Sequence, residues 1–210
     1  MIRVIQLATA LIILSLATSC SLPKIVVLND PLSAEEHIKL GSIYGSQGKT
    51  ELARDQFREA AQRDAKSVRA WSLLGDAAYT LKAYAEAEKA YSKAIDLDPK
   101  SGDLRNNLAW VYVEQGQDLK AAHDLVSRAL VLAPDRRPYY LDTFGMILLK
   151  QGRHHEAIAA LKESTETIPR DQPGLLAEAY GHLAEAYRAA GDDAAAQEAS
   201  GKRGQLLENK

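Results

Sequence analysis

The most constraining feature of this sequence is that it repeats. GSIYGSQGKTELARDQFREA, starting at Gly41, aligns with GDAAYTLKAYAEAEKAYSKA, starting at Gly75, a register of 34 residues. The same step carries Gly75 to Ala109. A period of this length marks a supersecondary unit that cannot bury its apolar face alone, so neighbouring copies must stack around a shared core. From Ser33 onward the apolar residues recur at helical spacing, and the punctuation fits helices. Gly48, Gly116, Gly152 and Gly191 stand where a turn between helices needs positive φ. Pro99, Pro134 and Pro169 stand where a helix must stop. Ser33 and Glu36 have capping-box spacing for the first helix. One helix of about 13 residues is marginal in isolation, so stacking has to supply the stability.

Residue by residue, the units resemble the tetratricopeptide repeat. In the first, Leu40, Gly41, Tyr44, Gly48, Ala53, Phe57 and Ala60 occupy the family's preferred positions. The second has Trp71, Leu74, Gly75, Ala87, Tyr91, Ala94 and Pro99, and the third Leu108, Ala109, Tyr112, Gly116, Ala122, Ala129 and Pro134. Leu141, Phe144, Gly145, Gly152, Ala157, Leu161 and Pro169 match in the fourth. A fifth begins with Tyr180, Leu183, Ala184, Tyr187 and Gly191, then decays. The resemblance implies an all-α fold: an α-solenoid of stacked antiparallel helix pairs, about five repeats, the last degenerate and capping. The repeat domain then spans 34–210, with repeats near 34–67, 68–101, 102–137, 138–171 and 177–210.

Some positions depart from the pattern. Tyr79 sits one place after the usual tyrosine position, which holds Ala78. His37 and Arg105 stand where a large apolar residue is common, and the PRDQPG link before the fifth repeat is long. The closing helix contains Gly201 and Gly204, each costing roughly 1 kcal/mol relative to alanine. It reads as a solvent-facing cap.

The chain opens MIRVIQLATALIILSLATSC. A basic start with Arg3 precedes an apolar run from Val4 to Ala17, the pattern of an export signal. The run is short against the roughly 20 residues of a membrane span. Leu16-Ala17-Thr18-Ser19-Cys20 resembles a bacterial lipobox. That resemblance implies a signal peptide over 1–19, a diacylglyceryl group on the Cys20 thiol and a tether over 20–33. An ordinary secretory signal with an incidental cysteine, or an uncleaved anchor, are the plainer readings. Lipidation accounts for the lone thiol, which in an exported chain otherwise stands free or pairs between molecules. Several acyl chains hold a membrane firmly where one gives only marginal binding. Because Cys20 is the single cysteine, an intramolecular disulfide and a thiolate metal site are excluded. Ser21 is not the aspartate that resembles an inner-membrane retention signal, so in a Gram-negative host the periplasmic face of the outer membrane is expected.

Charge and motifs narrow the function. With 26 Lys and Arg against 28 Asp and Glu, a net charge of −2, the chain lacks the basic balance that nucleic acid selects. It contains no phosphate loop, HExxH, GxSxG or dinucleotide fingerprint. His154 and His155 are adjacent at the head of a helix in GRHHEAI, so they diverge and cannot share a metal. No catalytic residue, metal site or cofactor is expected, and the chain reads as non-enzymatic.

In tetratricopeptide proteins the first helices of successive repeats line a concave groove, and their non-consensus positions choose the ligand. Carried over by position, these point to Arg69, Tyr79, Asn106, Trp110, Tyr139, Asp142 and Met146 as peptide-binding residues. The set mixes aromatic anchors with a thioether, an amide and charge, as peptide grooves do. Trp110 has two readings: it faces the groove, or it packs against the neighbouring first helix. Asn106 and Asp142 either hydrogen-bond a peptide backbone or stand as solvated polar residues. Ile38 and Ser42 occupy positions where chaperone-binding members carry a carboxylate clamp, so acidic carboxyl-terminal tails are not the expected ligands. The expectation is a membrane-anchored scaffold that binds a protein or peptide partner during assembly of the bacterial envelope. Its rivals are an accessory protein binding peptidoglycan or another non-protein ligand, and a self-assembling structural scaffold.

Overall fold

The computed structural model describes residues 30–208. The expected signal peptide, Cys20 and the expected tether as far as residue 29 lie outside the described residues. From Leu32 the chain forms a single unit. Its helices run in chain order as α1 (Ala34–Ser46), α2 (Thr50–Arg63), α3 (Val68–Thr80), α4 (Tyr84–Leu97) and α5 (Gly102–Gln115). They continue as α6 (Leu119–Leu132), a 3₁₀ turn (Pro134–Arg136), α7 (Arg137–Lys150), α8 (His154–Thr167), α9 (Pro173–Ala189) and α10 (Asp193–Glu208). Each helix packs on the next, and α5 also touches α7, which touches α9. This is the all-α solenoid that the repeat pattern implies.

Local chemistry sets where the helices begin and turn. The Ser33 hydroxyl accepts from the Glu36 backbone N–H, and the Glu36 carboxylate accepts from the Ser33 N–H at 2.7 Å. Two otherwise unpaired donors are thereby satisfied. Ser67 and Ser101 cap α3 and α5 in the same way through one bond each. Gly48, Gly116, Gly152 and Gly191 all adopt positive φ in the turns within pairs. In the second pair that place falls to Lys82, held at φ 57°, where a Cβ atom is disfavoured.

The small positions fix how closely the two helices of a pair approach. A Cβ on Gly41 would lie 2.5 Å from Cε1 of Phe57, and one on Gly75 would lie 2.6 Å from Cε1 of Tyr91. At Gly145 it would run into the branched end of Leu161. Both polar departures are accommodated by bonding. His37, fully buried, pairs its Nδ1 with Oε1 of Gln56 at 2.8 Å, and Arg105 donates to the Ser101 carbonyl at 2.9 Å. The largest core cluster centres on α7, whose residues Gly145 to Leu149 are all buried. A stretch apolar on every side is one covered on every side, and α5, α6, α8 and α9 all pack on α7. No described helix is long and apolar enough to cross a membrane.

Candidate functional site

The first helices of the second to fifth pairs, α3, α5, α7 and α9, turn one face toward a cleft of about 530 Å³. Helical periodicity puts the lining residues there. Asn106, Trp110 and Glu114 recur every four residues on α5, and Glu178 and His182 do so on α9. Asp76 and Tyr79 are three apart on α3, as are Tyr139 and Asp142 on α7. The result is a concave surface with aromatic walls, a polar floor and several carboxylates.

Its side chains are tied to one another across repeats. His182 Nδ1 lies 2.9 Å from Oδ2 of Asp142, and the imidazole packs against the Trp110 indole with ring centroids 5.4 Å apart. Burial pulls the His182 pKa down, but the hydrogen bond and charge of Asp142 outweigh it, and the net shift is upward. The Tyr139 hydroxyl donates to Gln172 at 2.8 Å, while the Arg136 guanidinium lies over the Tyr139 ring at 4.4 Å. Arg136 also donates to Asp103 at 3.3 Å.

On the α3 side, Asp76 accepts from the Tyr91 hydroxyl at 2.7 Å and from Asn107 Nδ2 at 3.4 Å. Solvent reaches Asp76, yet it lies at the cleft floor, where surrounding protein displaces bulk water. That desolvation raises its carboxyl pKa, and the two hydrogen bonds only partly offset it. The Tyr79 hydroxyl is pushed up to about 12, first by burial and then by the charges of Glu114 and Glu178 and by Tyr84. Asn106 borders the cleft, but its Oδ1 is buried and accepts no hydrogen bond among the described residues.

Five of the residues expected from sequence, Tyr79, Asn106, Trp110, Tyr139 and Asp142, line this cleft. Trp110 combines its two readings: half-buried, it packs on the core cluster and also faces the cleft. Tyr79 reaches the cleft because of its one-place shift, which leaves Ala78 in the closely packed position, fully buried. Met146 does not belong to the site. It is 5% exposed and part of the core, because the stretch of α7 from Gly145 to Leu149 is enclosed on every side. Arg69 is also elsewhere: it lines a separate hollow with Ser72 and Asp103 and pairs with Glu35 at 3.1 Å.

Sequence reasoning missed His182, Glu114, Asn107 and Arg136. His182 precedes the small residue Ala184 by two places, as Asn107 precedes Ala109. That shared place was the available signal. Among the described residues, no group of three or more His, Cys, Asp or Glu side chains could hold a metal ion.

Comparison with known proteins places this architecture. Models described as tetratricopeptide repeat match residues 38–102, 80–142 and 139–171, a continuous run from 38 to 171. A TPR repeat-containing protein of Treponema pallidum (strain Nichols) is 27% identical over 151 residues, 71% of this chain and 18% of that protein. This chain spans between 16% and 27% of the length of the curated relatives it matches. Among solved structures, PilW, described as a widely conserved type IV pilus biogenesis factor, superposes with a TM-score of 0.73 at 22% identity. That similarity covers 83% of this chain and 78% of PilW. YrrB, described as a TPR protein with an unusual peptide-binding site, has a TM-score of 0.58 at 25% identity, covering 83% and 86%. Repeat models that run unbroken over most of the chain, on a stack of paired helices, show that it belongs to the tetratricopeptide repeat family.

Proposed function

We propose that this protein is a non-catalytic scaffold that holds a segment of another protein in the cleft formed by α3, α5, α7 and α9. The observation that carries the reading is the convergence of Tyr79, Trp110 and Tyr139 on one concave surface. Aromatic anchors give contact area at small entropic cost, and the polar groups between them can fix the register of a bound segment. The peptide-binding site named for YrrB supports the same use of the fold. Each of the three aromatic rings is already packed by a neighbour: Tyr84 at 6.1 Å, His182 at 5.4 Å and Arg136 at 4.4 Å. These contacts hold the rings in fixed orientations, the preorganisation that a peptide site needs.

In this reading Cys20 is lipidated and holds the scaffold at a membrane of the bacterial envelope, the outer membrane's periplasmic face in a Gram-negative host. The partner is a component assembled there. A photoreactive residue placed at Tyr139 in the living cell tests it, with the same probe at the outer, exposed position Lys93 as control. One dominant crosslinked protein from Tyr139 and not from Lys93 is expected. Equal capture from both faces, or capture from neither, contradicts the cleft assignment.

A further inference from the structure

The cleft has an unbalanced charge, and its imbalance selects a ligand class. Asp76, Glu114, Asp142 and Glu178 face Arg136 and His182. Both basic groups are committed: Arg136 to Asp103 and the Tyr139 ring, and His182, a cation only when protonated, to Asp142. Asp76, Glu114 and Glu178 therefore form no ion pair among the described residues. Asp76 accepts only from the neutral groups of Tyr91 and Asn107, and Glu114 accepts from the Tyr84 hydroxyl at 3.4 Å. These carboxylates come from three different repeats and still line one cleft. Like charges brought together at a partly desolvated surface repel one another until a cation arrives.

The walls say what kind of cation. No cluster of described His, Cys, Asp or Glu side chains could hold a metal ion. Instead the carboxylates are spread around the Tyr79 and Trp110 rings, and aromatic faces attract ammonium and guanidinium groups. Resting on the peptide-binding reading above, we propose that the segment bound in the cleft presents a lysine or arginine side chain to Asp76, Glu114 and Glu178. Its aliphatic stem lies along Tyr79 and Trp110. Acidic segments are repelled.

The test is selection of phage-displayed random dodecapeptides on the wild-type protein and on the double variant Glu114→Gln/Glu178→Gln. Both residues are exposed, so the variant keeps its melting temperature. Peptides recovered on the wild type are expected to be enriched several-fold in Lys or Arg over Asp and Glu. Their affinity, read by fluorescence anisotropy, is expected to fall about tenfold on the double variant and to fall also with added salt. Recovered peptides with no basic excess, bound equally by both proteins but lost on Trp110→Asp, overturn the cation proposal and leave the cleft as a peptide site. No recovery above background on the wild type overturns both.

Discussion

His182 Nδ1 bonds the Asp142 carboxylate at 2.9 Å while its ring rests 5.4 Å from the Trp110 indole. One imidazole on α9 thereby links first helices of the third, fourth and fifth repeats. In a solenoid, contacts otherwise run between neighbours; the ring contact joins the third repeat to the fifth.

Its strength should depend on pH with a definite sign. The folded-state pKa of His182 is raised above its ordinary 6.5, so folding favours the protonated ring. The stabilisation is complete below about 6.5 and is lost as the pH rises through the raised value. With His182 and Asp142 side chains only 26% and 14% exposed, His182→Gln should cost about 1–2 kcal/mol at pH 6 and distinctly less at pH 9. Urea unfolding of both proteins at the two pH values checks this.

Trp110 should separate stability from recognition. A fully buried tryptophan replaced by alanine costs about 3–5 kcal/mol, but the Trp110 ring is only half-buried and has one side on the cleft. Trp110→Ala is expected to cost about 1–2 kcal/mol in urea unfolding while abolishing capture of the partner. Met146→Ala is expected to show the reverse: a loss of about 2–5 kcal/mol with binding by the remaining folded protein unchanged.

Three backbone positions should respond in opposite directions. Gly145→Ala forces the Leu161 side chain aside and should destabilise by about 1–3 kcal/mol. Lys82→Gly removes a Cβ from a residue at φ 57°; relief of about 1–2 kcal/mol outweighs the added chain entropy and should raise the melting temperature. Gly201→Ala meets nothing within 4 Å and should stabilise α10 by about 0.5–1 kcal/mol. Thermal unfolding followed by circular dichroism reads all three.

The proposed membrane tether has its own check. Cells fed an alkyne-bearing fatty acid should label the wild-type protein and not Cys20→Ala. Equal labelling of the two, or none of either, removes Cys20 as the anchor.

How much of this could be read from sequence varies with the kind of contact. The close-approach glycines were legible because only a missing Cβ permits Phe57, Tyr91 and Leu161 to lie against them. Cleft residues on regular positions, Asn106, Trp110, Tyr139 and Asp142, followed from the repeat register. Met146 did not, because its burial depends on how many neighbours enclose α7 rather than on its place in the repeat. His182 escaped notice because its partners, Asp142 and Trp110, are supplied by two other repeats. Register predicts which face a residue takes; curvature decides what that face meets.

The most direct test of the account follows the two indole N–H resonances during a peptide titration. Trp71 donates its Nε1–H to the Ala65 carbonyl at 3.1 Å and is not part of the cleft lining, so it serves as an internal control against Trp110. Adding a lysine-bearing peptide recovered by selection should shift the Trp110 resonance in a saturable way and leave Trp71 in place. Movement of Trp71 with Trp110 unmoved would contradict the assignment of the cleft as the binding site.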